Sequence, residues 1–410
     1  MTRESTSPTN DQVQDGTSDR LLRLILLYAL VVRLIFVFLT PAWQAPDEYP
    51  HFWYANALSQ SLRFPAVSSE FPGYEAFQPP LYYAITAAIL RALPDAQPCS
   101  FDLLEAPGLT LIVLRVISVL LGVLTTWFAY VAARQIRGVS KETPLIAAMF
   151  VATLPTFVGL TSWVNNDGLV AALGSACAVY MLRPSCTPRA VALAGILAGL
   201  AFLAKSNAVV LFALIVITVA VRETDRKRAA KLILLAFVCW LPGVVLAAAK
   251  NLSLTGSILV LNTQVGHQWN LSLGSLVWSL RNLTWSFWLA FGRTYRIALP
   301  PFVYVLTIVP LTVGAAYGVW RVRKALRTDV IVLVSGIALA LLASLYYSLS
   351  YPPHTMTSWG KNLFPVLTFF AVFFAVGWEH SLRGKSLFMY TGLLLMAAGC
   401  GWAAFQIALL

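Results

Sequence analysis

Charge is what this chain has least of: only 11% of its 410 residues are Asp, Glu, Lys or Arg, against 59% hydrophobic. That shortage excludes a soluble globular protein, which has too little interior to hide so much apolar surface. Cysteine is scarce as well. The five copies, Cys99, Cys177, Cys186, Cys239 and Cys400, are scattered, odd in number and mostly set inside apolar runs. Such a pattern excludes both a disulfide framework and a metal-spaced cluster. No cleavable signal peptide is expected, because the first apolar run begins late and is long enough to span a bilayer. Nor does one half of the chain repeat the other.

What the sequence does have is a succession of apolar runs. Residues 1–19 are polar and rich in Ser, Thr and Asp, and predict a disordered cytoplasmic tail. Residues 20–410 then predict a single membrane domain. Spans are expected at 21–39, 109–133, 143–160, 167–182, 189–203, 206–221, 230–249, 299–320, 329–349, 361–378 and 387–409. Each is near the ~20 residues that cross the hydrocarbon core. The segment 79–93 reads equally as a short twelfth span or as an interfacial piece. The fold class is therefore all-α, a polytopic transmembrane helix bundle.

Lys and Arg set the orientation. One set of short loops carries Arg134, Arg137 and Lys141, then Arg183 and Arg189, then Arg222 to Lys231, then Arg321 to Arg327, then Arg383 and Lys385. The short opposite loop Thr161–Asn166 has none. The positive-inside rule then predicts a cytoplasmic N-terminus in a cell membrane. The same rule absorbs most of the formal charge of +12, so no nucleic-acid partner is implied. Two long segments, 41–108 and 250–298, fall outside, where irregular chain tends to carry function.

The first outer segment opens with Pro46-Asp47-Glu48-Tyr49-Pro50-His51-Phe52-Trp53-Tyr54. Carboxylates at a bilayer surface are costly to desolvate, which points to a site before a packing role. Pro46 suits a helix start, leaving Asp47 and Glu48 at its positive end. Helical spacing then lines up Asp47, His51, Tyr54 and Leu58 on one face of an interfacial helix. Capping of that helix is the competing reading of the acidic pair. Downstream, Gln78-Pro79-Pro80-Leu81-Tyr82-Tyr83 predicts a rigid turn into an aromatic helix.

Four later stretches complete a recognisable order: Trp163-Val164-Asn165-Asn166-Asp167-Gly168-Leu169, Phe202-Leu203-Ala204-Lys205, Phe287-Trp288-Leu289-Ala290-Phe291-Gly292 with Leu299-Pro300-Pro301, and Trp359-Gly360-Lys361-Asn362-Leu363-Phe364-Pro365. The series resembles the GT-C superfamily of polytopic glycosyltransferases. More narrowly it is similar to the DUF2142 family and to relatives of the protein mannosyltransferase and aminoarabinose transferase type. Ala204 and Lys361 stand where Thr and Arg are commoner in that pattern.

The resemblance implies transfer of a sugar from a polyprenyl-phosphate donor to a glycan, lipid or protein acceptor on the outer face. Asp47 is then the candidate base for an acceptor hydroxyl, with Glu48 binding acceptor or orienting Asp47. Inversion by a single displacement is the expected course. The phosphate leaves readily but needs cations against its growing charge. Lys205, Arg293, Arg296 and Lys361 are candidates, as are Arg33 and Arg115 inside their spans. His51, Tyr54, Gln78 and Asp167 complete the candidate substrate-binding set. Lys205 and Lys361 also fit cations snorkelling from span ends, and Asp167 a helix cap. No cofactor is required, although an adjacent acidic pair is also a pattern that takes Mg²⁺ or Mn²⁺. The alternative of another class is a transporter or lipid flippase of cell-envelope precursors. Transporters favour repeats and charges near mid-membrane; the two halves show no repeat, and the acidic residues gather at the outer rim instead.

Overall fold

This computed structural model describes residues 10–93, 108–258, 260, 267–291, 297–298, 300–351, 359–381 and 386–408. Helix dominates it. In chain order the helices are α1 (Asn10–Leu39), α2 (Glu48–Ser61), α3 (Leu81–Ala92), α4 (Leu109–Ala133), α5 (Thr143–Thr153), α6 (Pro155–Leu160), α7 (Asp167–Met181) and α8 (Pro188–Ala204). They continue with α9 (Val209–Arg222), α10 (Arg226–Thr255), α11 (Leu273–Trp288), α12 (Pro301–Val303), α13 (Val309–Val322), α14 (Arg327–Leu349), α15 (Leu367–Ser381) and α16 (Ser386–Ala408). Short 3₁₀ turns at Gly73–Phe77 and Gly360–Val366 matter for the site.

Among the described residues six helices are long and apolar enough to cross a membrane, and six more are apolar but shorter. Two expectations change in detail. The first helix begins at Asn10, so residues 10–19 are helical rather than a disordered tail. The expected span 143–160 is broken into α5 and α6 at Leu154, because Pro155 has no N–H to continue the ladder.

Local chemistry fixes where these helices start. Asp225 caps α10 by accepting from Lys227 N, and Thr187 caps α8 by accepting from Ala190 N. Tight helix crossings follow from glycine. α8 and α10 meet where a Cβ on Gly243 would overlap the carbonyl oxygen of Gly199. On α7, a Cβ on Gly174 would overlap that of Pro365 in the Gly360–Val366 turn. Without a hydrophobic drive between helices in lipid, such close backbone packing is what holds them.

The outer segment departs further from expectation. α2 is buried on most of its surface, including Glu48, His51, Phe52, Tyr54, Ala55 and Leu58, and packs on α3. It is an embedded helix rather than one lying with a single face in the interface. Its aromatic residues, distributed all round the helix, find partners on α3 and in the preceding turn, as Trp43 does with Phe52 and Tyr54 with Tyr83.

Candidate active site

The ends of several helices converge at one pole of the bundle, and the outer-segment turns sit on them. Asp47 adopts a left-handed backbone (φ 58°) immediately before α2. Glu48 therefore turns away from it, into the interior. Both Glu48 and Arg115 are completely buried, with Arg115 Nε 2.8 Å from Glu48 Oε1 and Nη2 2.7 Å from Oε2. The other guanidinium hydrogens go to the carbonyls of Val37 (2.9 Å), Thr40 (2.7 Å) and Pro41 (3.1 Å), and Val164 N donates to Glu48 Oε1 (3.1 Å). Arg115 thus uses all five of its donors. This closed pair takes Glu48 out of the catalytic assignment and Arg115 out of the phosphate candidates. It also leaves the acidic pair unable to converge on one metal ion. Among the described residues no group of three His, Cys, Asp or Glu side chains is placed to hold one.

Asp47 points the other way. Its carboxylate accepts from Lys361 Nζ at 3.0 Å and from the Tyr74 hydroxyl at 3.0 Å, and it remains 32% exposed. Burial acts to raise its pKa, but the Lys361 ammonium and both hydrogen bonds outweigh that and hold it at about 2. The Tyr74 hydroxyl is pushed far up by burial and by the Asp47 charge, so it stays a proton donor.

A second polar group lies alongside. Glu75, 8% exposed, accepts from Gln78 Nε2 at 2.9 Å, while Gln78 Oε1 accepts from Asn166 Nδ2 at 3.3 Å. Burial, and then the charge of Asp47, push Glu75 up to about 7. Lys250 of α10 pins this turn from outside: its Nζ donates to the carbonyls of Ala76 (2.5 Å) and Gln78 (3.0 Å) and lies 5.6 Å from the Tyr54 ring centroid. Lys205 does not snorkel. It sits 2.6 Å from Asp167 Oδ1, and Asp167 is fully buried. The N-cap of α7 is Asn166, which makes no side-chain cap bond; Asn165 Oδ1 accepts from Asp167 N just before it (2.9 Å), and Asp167 stands in the first turn of the helix. Among the described residues Asp167 Oδ2 and Asn166 Oδ1 are buried without a partner.

The remaining candidates separate cleanly. His51 is buried and 2.7 Å from the Tyr83 hydroxyl, and burial depresses it to about 3, so its ring is neutral. Tyr54 is wholly buried and stacks on Tyr83 at 3.8 Å, which makes it a packing residue rather than a substrate contact. Arg33 is fully buried in the bundle, donating to Thr161 Oγ1 (2.8 Å) and the carbonyls of Ala29 and Val151. Arg293 and Arg296 lie outside the described residues. Sequence reasoning missed Tyr74, Glu75 and Lys250. Glu75 had a faint signal, standing three residues before Gln78 in a stretch of aromatics; Lys250 ends the apolar run Ala247-Ala248-Ala249.

A family model described as dolichyl-phosphate-mannose-protein mannosyltransferase matches residues 104–247, which does not include Asp47. No curated protein matches the chain. Among solved structures, ArnT from Cupriavidus metallidurans in the apo state has a TM-score of 0.56 at 17% identity, covering 92% of this chain and 64% of ArnT. The same protein bound to undecaprenyl phosphate gives 0.57 at 16%, covering 94% and 71%. The archaeal oligosaccharyltransferase AglB from Archaeoglobus fulgidus, in complex with an inhibitory peptide and a dolichol-phosphate, gives 0.55 at 13%, covering 94% of this chain and 55% of AglB. This chain therefore spans between about half and about seven tenths of these proteins' lengths. With an all-helical bundle of this arrangement and these neighbours, the chain has the fold of the GT-C membrane glycosyltransferases.

Proposed function

We propose that the protein moves a sugar from a polyprenyl-phosphate donor to an acceptor hydroxyl, at the pole of the bundle opposite the basic loops and hence on the outer face. One observation carries this reading. Asp47 is ionised, one-third exposed and 3.0 Å from Lys361, while Glu48 and Asp167 are closed away in buried pairs. A partly exposed carboxylate beside a cation suits a displacement in which hydroxyl and phosphate meet at a sugar carbon. Asp47 receives the hydroxyl, and Lys361 stands close enough to offset charge growing on the phosphate. Lys205 is a second cation at the same pole, 8% exposed. The undecaprenyl phosphate of ArnT and the dolichol-phosphate of AglB support a lipid-phosphate donor here. Inversion is the expected outcome of a single displacement.

The test is Asp47→Asn, assayed in membranes for release of polyprenyl phosphate from a panel of polyprenyl-phosphate hexoses and pentoses. A positioned base contributes roughly 10²–10⁴-fold, and a loss of that order at unchanged protein level is the expected result. Undiminished transfer by the variant removes the assignment.

A further inference from the structure

Glu75 differs from the other carboxylates of the site. Asp47, Glu48 and Asp167 each lie within 3.0 Å of a cationic nitrogen. Among the described residues Glu75 pairs with no cation, and its one hydrogen bond there comes from the neutral Gln78 amide. A buried carboxylate is normally paired or neutralised, because its charge is expensive away from water. Its position is nonetheless fixed. Gln78 holds it and is itself held by Asn166, while Lys250 clasps the carbonyls on either side of Phe77.

Groups from several elements surround Glu75, and Lys250 of α10 donates to the carbonyls of Ala76 and Gln78 beside it. Asp47 stands at the start of α2, Lys361 in the Gly360–Val366 turn, Lys205 at the end of α8, Tyr74 in its own turn and Tyr83 on α3. The cluster therefore holds two carboxylates on adjoining pieces of chain, joined where Tyr74, next to Glu75, donates to Asp47; one has an ammonium partner and one does not. An ionised Asp47 is a good hydrogen-bond acceptor for a hydroxyl but a poor place to keep a proton.

We propose that Glu75 is the proton store of the site: it takes, by way of Asp47, the proton that the acceptor hydroxyl loses. The inference rests on the transferase reading above. As the acceptor oxygen bonds to the sugar's anomeric carbon, the carbon–oxygen bond to phosphate breaks and its electron pair leaves on the phosphate. The acceptor proton moves to Asp47 and on to Glu75, and water removes it before the next turnover. Glu75 must be ionised at the start of each cycle. Its upward shift to about 7 places that requirement within the working range of pH. The sign follows directly: transfer is full above that midpoint and falls below it, by about tenfold per pH unit.

The full-length protein in lipid nanodiscs provides the test. Infrared difference spectra between pH 5 and 9 read the protonated carboxyl stretch, and transfer rates from the same donor panel are measured over the same range. Wild type is expected to lose a carboxyl band near pH 7 as its rate rises. Glu75→Gln is expected to lack that band and to turn over slowly with no inflection there. Gln78→Leu removes the one donor to Glu75, and both midpoints are expected to move upward together. The proposal is overturned if Glu75→Gln keeps the wild-type band or the wild-type pH profile, or if Gln78→Leu leaves both midpoints in place. Transfer that needs Asp47 but not Glu75 overturns this inference alone. A wild-type protein that releases polyprenyl phosphate from no donor overturns the transferase reading as well.

Discussion

A left-handed backbone at Asp47 sends its carboxylate toward Lys361 while Glu48, the next residue, turns back onto Arg115. Sequence marks the two as a pair because they are adjacent, but adjacency says nothing about direction once one φ is positive. That an acid stands at the head of the helix after the first span was readable in advance. The closed role of Glu48 was not, since it depends on a guanidinium 67 positions away. The roles are separable by experiment. Removing one partner of a buried ion pair leaves the other charge stranded, at a cost of about 3–5 kcal/mol. Glu48→Gln is therefore expected to lower the thermal unfolding midpoint sharply in detergent, while the folded fraction retains its rate per molecule. A normal midpoint with a lost rate would return Glu48 to the chemistry.

At the scale of elements, long apolar runs announced themselves and interruptions did not. α4 and α14 follow their expected spans closely, while α10 runs past its expected 230–249 at both ends; about 20 apolar residues admit few other structures in lipid. The break at Leu154 and the 3₁₀ turn at Gly360–Val366 were hidden inside runs of the same hydropathy. That turn owes its position to a neighbour. Gly174 lets the backbone at Pro365 lie directly on α7, and Lys361 rides on the same turn. Gly174→Ala should push the two apart at a cost of roughly 1–3 kcal/mol. Because Lys361 moves with the turn, the variant is expected to show a raised KM for donor in addition to a lower unfolding midpoint. A lowered midpoint with donor KM unchanged would uncouple the turn from the site.

Over the whole molecule, polarity is divided between two poles. At one, Arg222 meets Asp329 and Glu379 receives Thr143, among the loops rich in Lys and Arg. At the other lie Asp47, Glu75, Lys205, Lys250 and Lys361. The charge asymmetry was legible because the positive-inside rule reads counts rather than contacts. Lys250 was not, since its partner carbonyls lie 172 and 174 residues away. Orientation is checked with a membrane-impermeant thiol reagent on intact cells, using single cysteines in a cysteine-free background. A cysteine at Leu271, 77% exposed, should react from outside, and one at Lys141 only after the cells are opened. The reverse labelling pattern would place the carboxylates in the cytoplasm and end the lipid-phosphate scheme on the outer face.

The guanidinium of Arg115 bonds at once to the tail of α1, to the strap after it and to the head of α2. Three pieces of chain riveted at one point behave as a single rigid bracket. The two turns across from this bracket are held differently: Gly73–Phe77 hangs from a single side chain, Lys250, and Gly360–Val366 rests on α7 by backbone contact at Gly174.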